Sequence, residues 1–80
     1  MLSELKSAKK VVGVKQLKKA LRDGSAVRVF LAEDADPQMT DPIRSYCKAN
    51  SIPLVEDISM EALGLACGIA VRAAAAGIIR

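Results

Sequence analysis

Residues 27–32 read Val27-Arg28-Val29-Phe30-Leu31-Ala32. The run is β-branched, aromatic at one position and nearly continuous in hydrophobicity. An edge strand or a half-buried strand alternates apolar with polar residues; a continuous run is the pattern of a strand covered on both faces. Glu33-Asp34-Ala35-Asp36-Pro37 breaks it on one side, and Asp23-Gly24-Ser25 precedes it on the other. What the fold must supply is material above and below this strand, and the flanking segments show where that comes from.

Upstream, Val14, Leu17, Ala20 and Leu21 fall at helical spacing and form an inward stripe. Lys15, Lys18, Lys19 and Arg22 follow i, i+3, i+4, i+7 on another face. Gly24 suits the left-handed position past the last turn. Val11-Val12 reads as a brief strand before Gly13, and Leu2 to Lys9 as a short opening helix with Ser3 as its N-cap. Downstream, a helix is expected from Pro42 to about Ala49. Asp41 would be its N-cap, Pro42 its first residue, and Met39, Ile43, Tyr46 and Cys47 its core side. Asn50-Ser51 closes it, and Ile52 to Val55 makes a short strand. Ser59 caps a third helix, with Glu61 in its first turn and Ile58 able to staple against Leu63. Gly68 ends that helix.

The last stretch is double-valued. Ala73 to Ala76 has high helix propensity, whereas Val71, Ile78 and Ile79 favour a strand. The alternation of helix and strand before it predicts a final strand, with small alanines that let flanking helices approach closely. The expected fold is therefore a three-layer α/β/α sandwich around a mixed sheet of about four strands, formed by residues 1–80 as a single domain.

The chain has 80 residues, of which 51% are hydrophobic and 26% charged, too apolar for disorder and too short for two cores. It has one Phe, one Tyr and no Trp, so its core is aliphatic and an array of base-stacking aromatics is nearly excluded. With no His, catalysis by histidine and His-bearing zinc sites are excluded. Cys47 and Cys67 fit neither a CxxC motif nor a four-ligand set, and read as reduced, buried small hydrophobes of a cytoplasmic protein. No apolar run reaches the roughly 20 residues of a membrane span, and the charged start does not read as a signal peptide.

Charge is uneven. Residues 1–22 carry seven basic side chains against Glu4 alone, whereas residues 23–80 carry five basic and eight acidic ones. A basic end on a mildly acidic body fits a polyanion partner; it also fits a lysine-rich helix that is merely solvated. Glu33, Asp34 and Asp36 cluster, as Mg²⁺ sites and acid/base pairs do, but they lie where a strand must turn, and Asp is favoured in turns for local hydrogen bonding. The glycines have no phosphate-cradling spacing, and neither cysteine has a base beside it. Gly13-Val14-Lys15-Gln16-Leu17-Lys18-Lys19 is more informative. If Gly13 opens the helix, free N–H groups of its first turn face outward, favouring phosphate. Gln16 and Lys19 are i, i+3 neighbours whose tips can converge on one base edge. A surface helix with no specific partner would carry the same residues.

Three segments in order, residues 13–19, Leu31-Ala32-Glu33-Asp34-Ala35-Asp36-Pro37, and Leu63-Gly64-Leu65-Ala66-Cys67-Gly68-Ile69, resemble the kink-turn RNA-binding ribosomal-protein family of L-seven-Ae and L-thirty-e type, most closely its short bacterial members. The resemblance covers roughly Leu5 to Ile79. It implies an α/β/α sandwich that binds RNA helices bent sharply at a bulge beside tandem G·A pairs. The family motif is Gly, a small residue, Asn, Glu, two variable positions and Lys. Gly13 and Lys19 match its ends, Val14 takes the small-residue position, and Lys15 and Gln16 stand where Asn and Glu are usual, as in the bacterial members. The family's second contact is the loop after the third helix, here Ile69-Ala70-Val71-Arg72-Ala73, with Val71-Arg72 in place of an Arg-Pro pair.

The resulting expectation is a non-enzymatic RNA binder of the cytoplasm, without cofactor or metal, monomeric, not membrane-bound and associated with structured RNA such as ribosomal RNA or the ribosome itself. Its expected RNA-binding residues are Gly13, Val14, Lys15, Gln16, Lys18, Lys19, Ile69, Ala70, Val71 and Arg72. Two other classes compete: a protein-interaction module that kept the fold and lost kink-turn recognition, and a general RNA chaperone without preference for the bulge.

Overall fold

The computed structural model describes residues 9–80. The expected opening helix, Leu2 to Lys9, therefore lies almost wholly outside the described residues. In chain order the elements are β1 (Lys10–Val12), α1 (Val14–Arg22), β2 (Ala26–Ala32), α2 (Pro37–Ala49), β3 (Leu54–Ile58), α3 (Met60–Ala66) and β4 (Ala75–Ile79). The four strands form one mixed sheet in the order β1-β4-β2-β3. β4 runs antiparallel to both of its neighbours, and β2 pairs parallel with β3 across α2.

β2 is an inner strand. Val29 and Leu31 pack on one face with Leu17, Ala20 and Leu21 of α1 and Ile43 and Cys47 of α2. Phe30 and Ala32 pack on the other face with Leu63 and Ala66 of α3. Two covered faces explain why the strand reads as a continuous apolar run rather than an alternating one. Val27, at the start of the strand beside a register shift, is exposed.

β4 resolves the alanine question in favour of a strand. Ala75 and Ala76 are fully buried in opposite layers. A β-carbon on Gly77 would come within 2.6 Å of Leu17 Cδ1, so the α1 layer sits directly on the strand at this point. Small side chains permit that approach, and burial between two ladders overrides the helix propensity of alanine.

The second helix begins earlier than its sequence signals predict. It starts at Pro37, with Asp36 as N-cap accepting a 2.9 Å hydrogen bond from the Gln38 N–H; Pro42 lies inside it. Asp36-Pro37 and Asp41-Pro42 carry the same cap-then-proline signal, and Thr40 decides between them. It is buried together with Ile43 and Cys47, so the inward stripe already runs one turn ahead of Ile43. Asp41 instead pairs with Arg44, which also holds Glu56 of β3. The hydrogen bond that Arg44 donates to the Glu56 carboxylate is the main reason that the Arg44 pKa is raised. Met39 and Tyr46, expected on the core side, are 42% and 41% exposed. They flank the buried stripe rather than belonging to it.

The third strand is displaced in the same sense. The Ile52 N–H completes the end of α2 by donating to the Cys47 carbonyl, and Pro53 has no N–H to donate. Pairing with β2 therefore runs from Leu54 to Ile58 and not from Ile52. α3 follows at once. Ser59 Oγ accepts from the Ala62 N–H at 3.1 Å, and Asp34 accepts from the Met60 N–H at 2.7 Å. Two of the three clustered carboxylates, Asp34 and Asp36, thus serve as helix caps. Ser59→Ala should cost about 1 kcal/mol of stability in urea unfolding, the usual value of an N-cap.

Cys47 and Cys67 are free and buried, and burial pushes both thiols above their ordinary pKa.

Candidate nucleic-acid interface

Gly13 joins β1 to α1 with φ 102 and ψ 152, a backbone region that residues with a β-carbon rarely enter. Among the described residues, no side chain caps this helix. Its first internal hydrogen bond is from the Leu17 N–H to the Gly13 carbonyl at 3.0 Å. The N–H groups of Val14, Lys15 and Gln16 therefore have no partner within the helix, and they are the groups that take an anion at a helix start.

Exposed cations run from that mouth along α1 to its last residue. Lys15, Lys18, Lys19 and Arg22 are all exposed and make no ion pair among the described residues. They do not all point the same way. Gln16 and Lys19 line a hollow on the β1 side with Val11, Asp23 and Ile79. Lys18 and Arg22 lie on the other flank, facing α2. Gln16 and Lys19 are therefore brought together, and Lys18 is held apart from them. Val14 is half-buried against the core, so its contribution is to seat the helix.

The loop between α3 and β4 reaches the same end of the sheet. Ile69 N–H donates to the Gly64 carbonyl, and Ala73 N–H to the Met60 carbonyl, so the loop is folded back on α3. Gly64 permits this. A β-carbon there would lie 2.2 Å from the Val71 carbonyl oxygen. The Ala74 carbonyl then accepts from Ala32 N–H at 2.9 Å, and the next residue, Ala75, accepts from Gly13 N–H at 2.8 Å. That last bond ties the mouth of α1 directly to the exit of the loop.

Within the loop, Ala70, Val71 and Arg72 are exposed, and Ile69 is half-buried against the α3-side core. Val71 is 69% exposed, and Leu65 of α3, which lines the same hollow, is 66% exposed. Leu65 is absent from the residues expected from sequence. The signal was there: Leu63 and Leu65 are two apart, hence about 200° apart around a helix, and Leu63 is fully buried.

Charge divides this end of the molecule. The basic helix mouth and the apolar loop lie on the β1–β4 half, and Glu33 and Asp57 are exposed at the ends of β2 and β3. Phosphates are attracted to the cationic helix mouth and repelled from the side of Glu33 and Asp57, and Glu61 is an acidic residue lining the loop's own hollow. Among the described residues, no group of three or more His, Cys, Asp or Glu is placed to hold a metal ion, and no helix is long and apolar enough to cross a membrane.

Comparison with known proteins agrees with this architecture. An RNA-binding protein of Geobacillus sp. strain WCH70 is 46% identical over 76 residues, 95% of this chain and 93% of that protein. The RNA-binding protein YbxF of Geobacillus stearothermophilus is 40% identical over the same coverage of the two chains. Among solved structures, a 15.5 kD RNA-binding protein of Giardia lamblia superposes with a TM-score of 0.88 at 29% identity, covering 99% of this chain and 70% of that one. The model of the ribosomal protein L7Ae/L30e/S12e/Gadd45 family matches residues 2–80, and the chain belongs to that family.

Proposed function

We propose that this protein binds structured RNA and selects a kink-turn, a helix bent sharply at a bulge, without catalysing a reaction. The observation that carries this reading is the Gly13–Ala75 hydrogen bond, because it places a cationic, uncapped helix start and an exposed apolar loop at one corner. A straight duplex presents phosphates but no unstacked base. A bent, bulged helix presents both, and the corner offers a partner for each. Lys15, with Lys18 behind it, positions the backbone; Gln16 and Lys19 read guanine edges; Ile69, Val71 and Leu65 keep water off the bulged base, with Arg72 at the loop's end.

The bent form is populated in proportion to its binding preference. The protein acts as a monomer of a single domain in the cytoplasm, on ribosomal RNA or a similar structured RNA, and its similarity to short bacterial RNA-binding proteins supports that role.

Lys19→Ala should weaken binding to a kink-turn by about 1–3 kcal/mol, the range for one base-reading side chain. An electrophoretic shift assay checks it, and undiminished affinity would remove Lys19 from the site. Raising salt from 50 to 200 mM should lower wild-type affinity on the order of a hundredfold if about four phosphates are contacted. A flat salt response would favour the protein-interaction module, for which Lys15 and Gln16 in place of the family's Asn and Glu are the supporting features. A steep response with equal binding to a straight duplex would favour a general RNA chaperone.

A further inference from the structure

Tyr46 is the only tyrosine of the chain, which has no tryptophan. It lies outside the corner just described. Its hydroxyl donates to the Leu21 carbonyl at 3.3 Å, bridging α2 to the end of α1, yet the residue is 41% exposed. Together with Leu21, Pro42 and Ile43 it lines an apolar groove of about 300 Å³, and the other residues lining that groove are Lys18 and Arg22. Among the described residues, no acidic side chain lines it.

The charge around the groove selects a polyanion, and its position connects it to the corner. Lys15, Lys18 and Arg22 are spaced i, i+3, i+7, so a line of cations runs along α1 from the helix mouth to the groove. At the helical rise, successive members are about 4.5 and 6 Å apart along the axis. A single nucleic-acid strand leaving the corner along this line would meet a cation at each step and then an aromatic ring fixed at its hydroxyl end. Every base has a π-face, so stacking on such a ring demands no sequence.

We infer that the α1–α2 groove is a second RNA subsite, in which an unpaired nucleotide flanking the bent helix stacks on Tyr46 with its phosphate held by Lys18 and Arg22. This subsite rests on the RNA-binding reading above and extends the footprint from the corner to the far flank of α1. Its consequence is a preference for bent RNA that ends in an unpaired tail over the same RNA with a blunt end.

The test compares wild-type binding to a blunt kink-turn duplex and to the same duplex carrying a three-nucleotide tail on either the 5′ or the 3′ end. The expected result is about tenfold tighter binding with one tail polarity, within the range for one stacked base, and quenching of the tyrosine emission by that RNA alone. Tyr46→Leu, which keeps an apolar side chain in the groove, should bind blunt RNA as wild type does and lose the gain. Tyr46→Phe should keep most of it. Equal affinity for blunt and tailed RNA overturns the subsite and leaves the corner intact, whereas failure to bind any bent RNA overturns the corner itself. A gain that survives Tyr46→Leu also overturns the subsite. So does tyrosine quenching by an acidic peptide but not by the tailed RNA, which would make the groove a protein-docking surface.

Discussion

Gly64→Ala is expected to destabilise the protein by about 3 kcal/mol and, in the same variant, to weaken its grip on bent RNA at least tenfold, at the upper end of overpacking penalties. The added methyl would lie 2.2 Å from the Val71 carbonyl oxygen and 3.2 Å from its carbon. The first distance is about an ångström inside normal contact. The obstacle is backbone, so no side-chain rotation relieves it; the loop must lift off α3 or the helix must retreat. Either motion carries Val71 away from the corner fixed by Gly13 and Ala75. The start of α1 is untouched, so the salt dependence of the remaining binding should match wild type. Urea unfolding and a salt titration on the same preparation check both halves. Unchanged stability together with unchanged affinity would show that the loop does not need its close seat on α3.

Phe30→Ala should be the most damaging single truncation, costing about 3–5 kcal/mol. Phe30 is the one phenylalanine of the chain and is fully buried. It packs with Leu63 and Ile58, amid residues as small as Ala32, Ala66, Ala73 and Ala76. Alanines cannot reach into the space that the ring would leave, so the cavity should persist rather than collapse. For 80 residues the whole stability is on the order of 4–12 kcal/mol. The variant should therefore unfold at a much lower urea concentration, and in the weaker part of that range it should not fold at 37 °C. A loss under about 1 kcal/mol in chemical denaturation would show that the α3 layer closes over the gap.

These two sites differ in how legible they were. The weight on Phe30 could be read directly, because a continuous apolar run in a nearly aromatic-free chain marks a strand covered on both sides. The face of α1 that carries lysines was equally plain, since a charged stripe opposite Leu17 and Leu21 permits one orientation only. Gly64 was not legible as a contact. Its importance comes from a carbonyl seven residues on that folds back across the helix, and no local propensity records such a return. The start of α2 was misplaced because Asp36-Pro37 and Asp41-Pro42 offer the same capping chemistry, and the balance was tipped by Thr40, a polar residue that only tertiary packing buries. The sequence pattern puts Tyr46 on the core side of its helix with Ile43 and Cys47. The structure sets it at the flank, where its hydroxyl finds the Leu21 carbonyl and its ring stays open. Leu65 is legible as an outward residue, because its spacing from Leu63 forbids both from facing inward. The meeting of residues 13–19 with residues 69–73 is likewise non-local: it depends on β1 pairing with β4, the two ends of the described chain.

The most direct measurement is a ¹⁵N–¹H spectrum recorded during titration with a kink-turn RNA. The prediction is that the amides of Gly13 to Lys19 and of Ile69 to Arg72 shift together, at one RNA per protein, while those of β3 and the Glu33 turn stay in place. Shifts confined to one of the two segments, or centred on β3, would contradict a shared RNA corner.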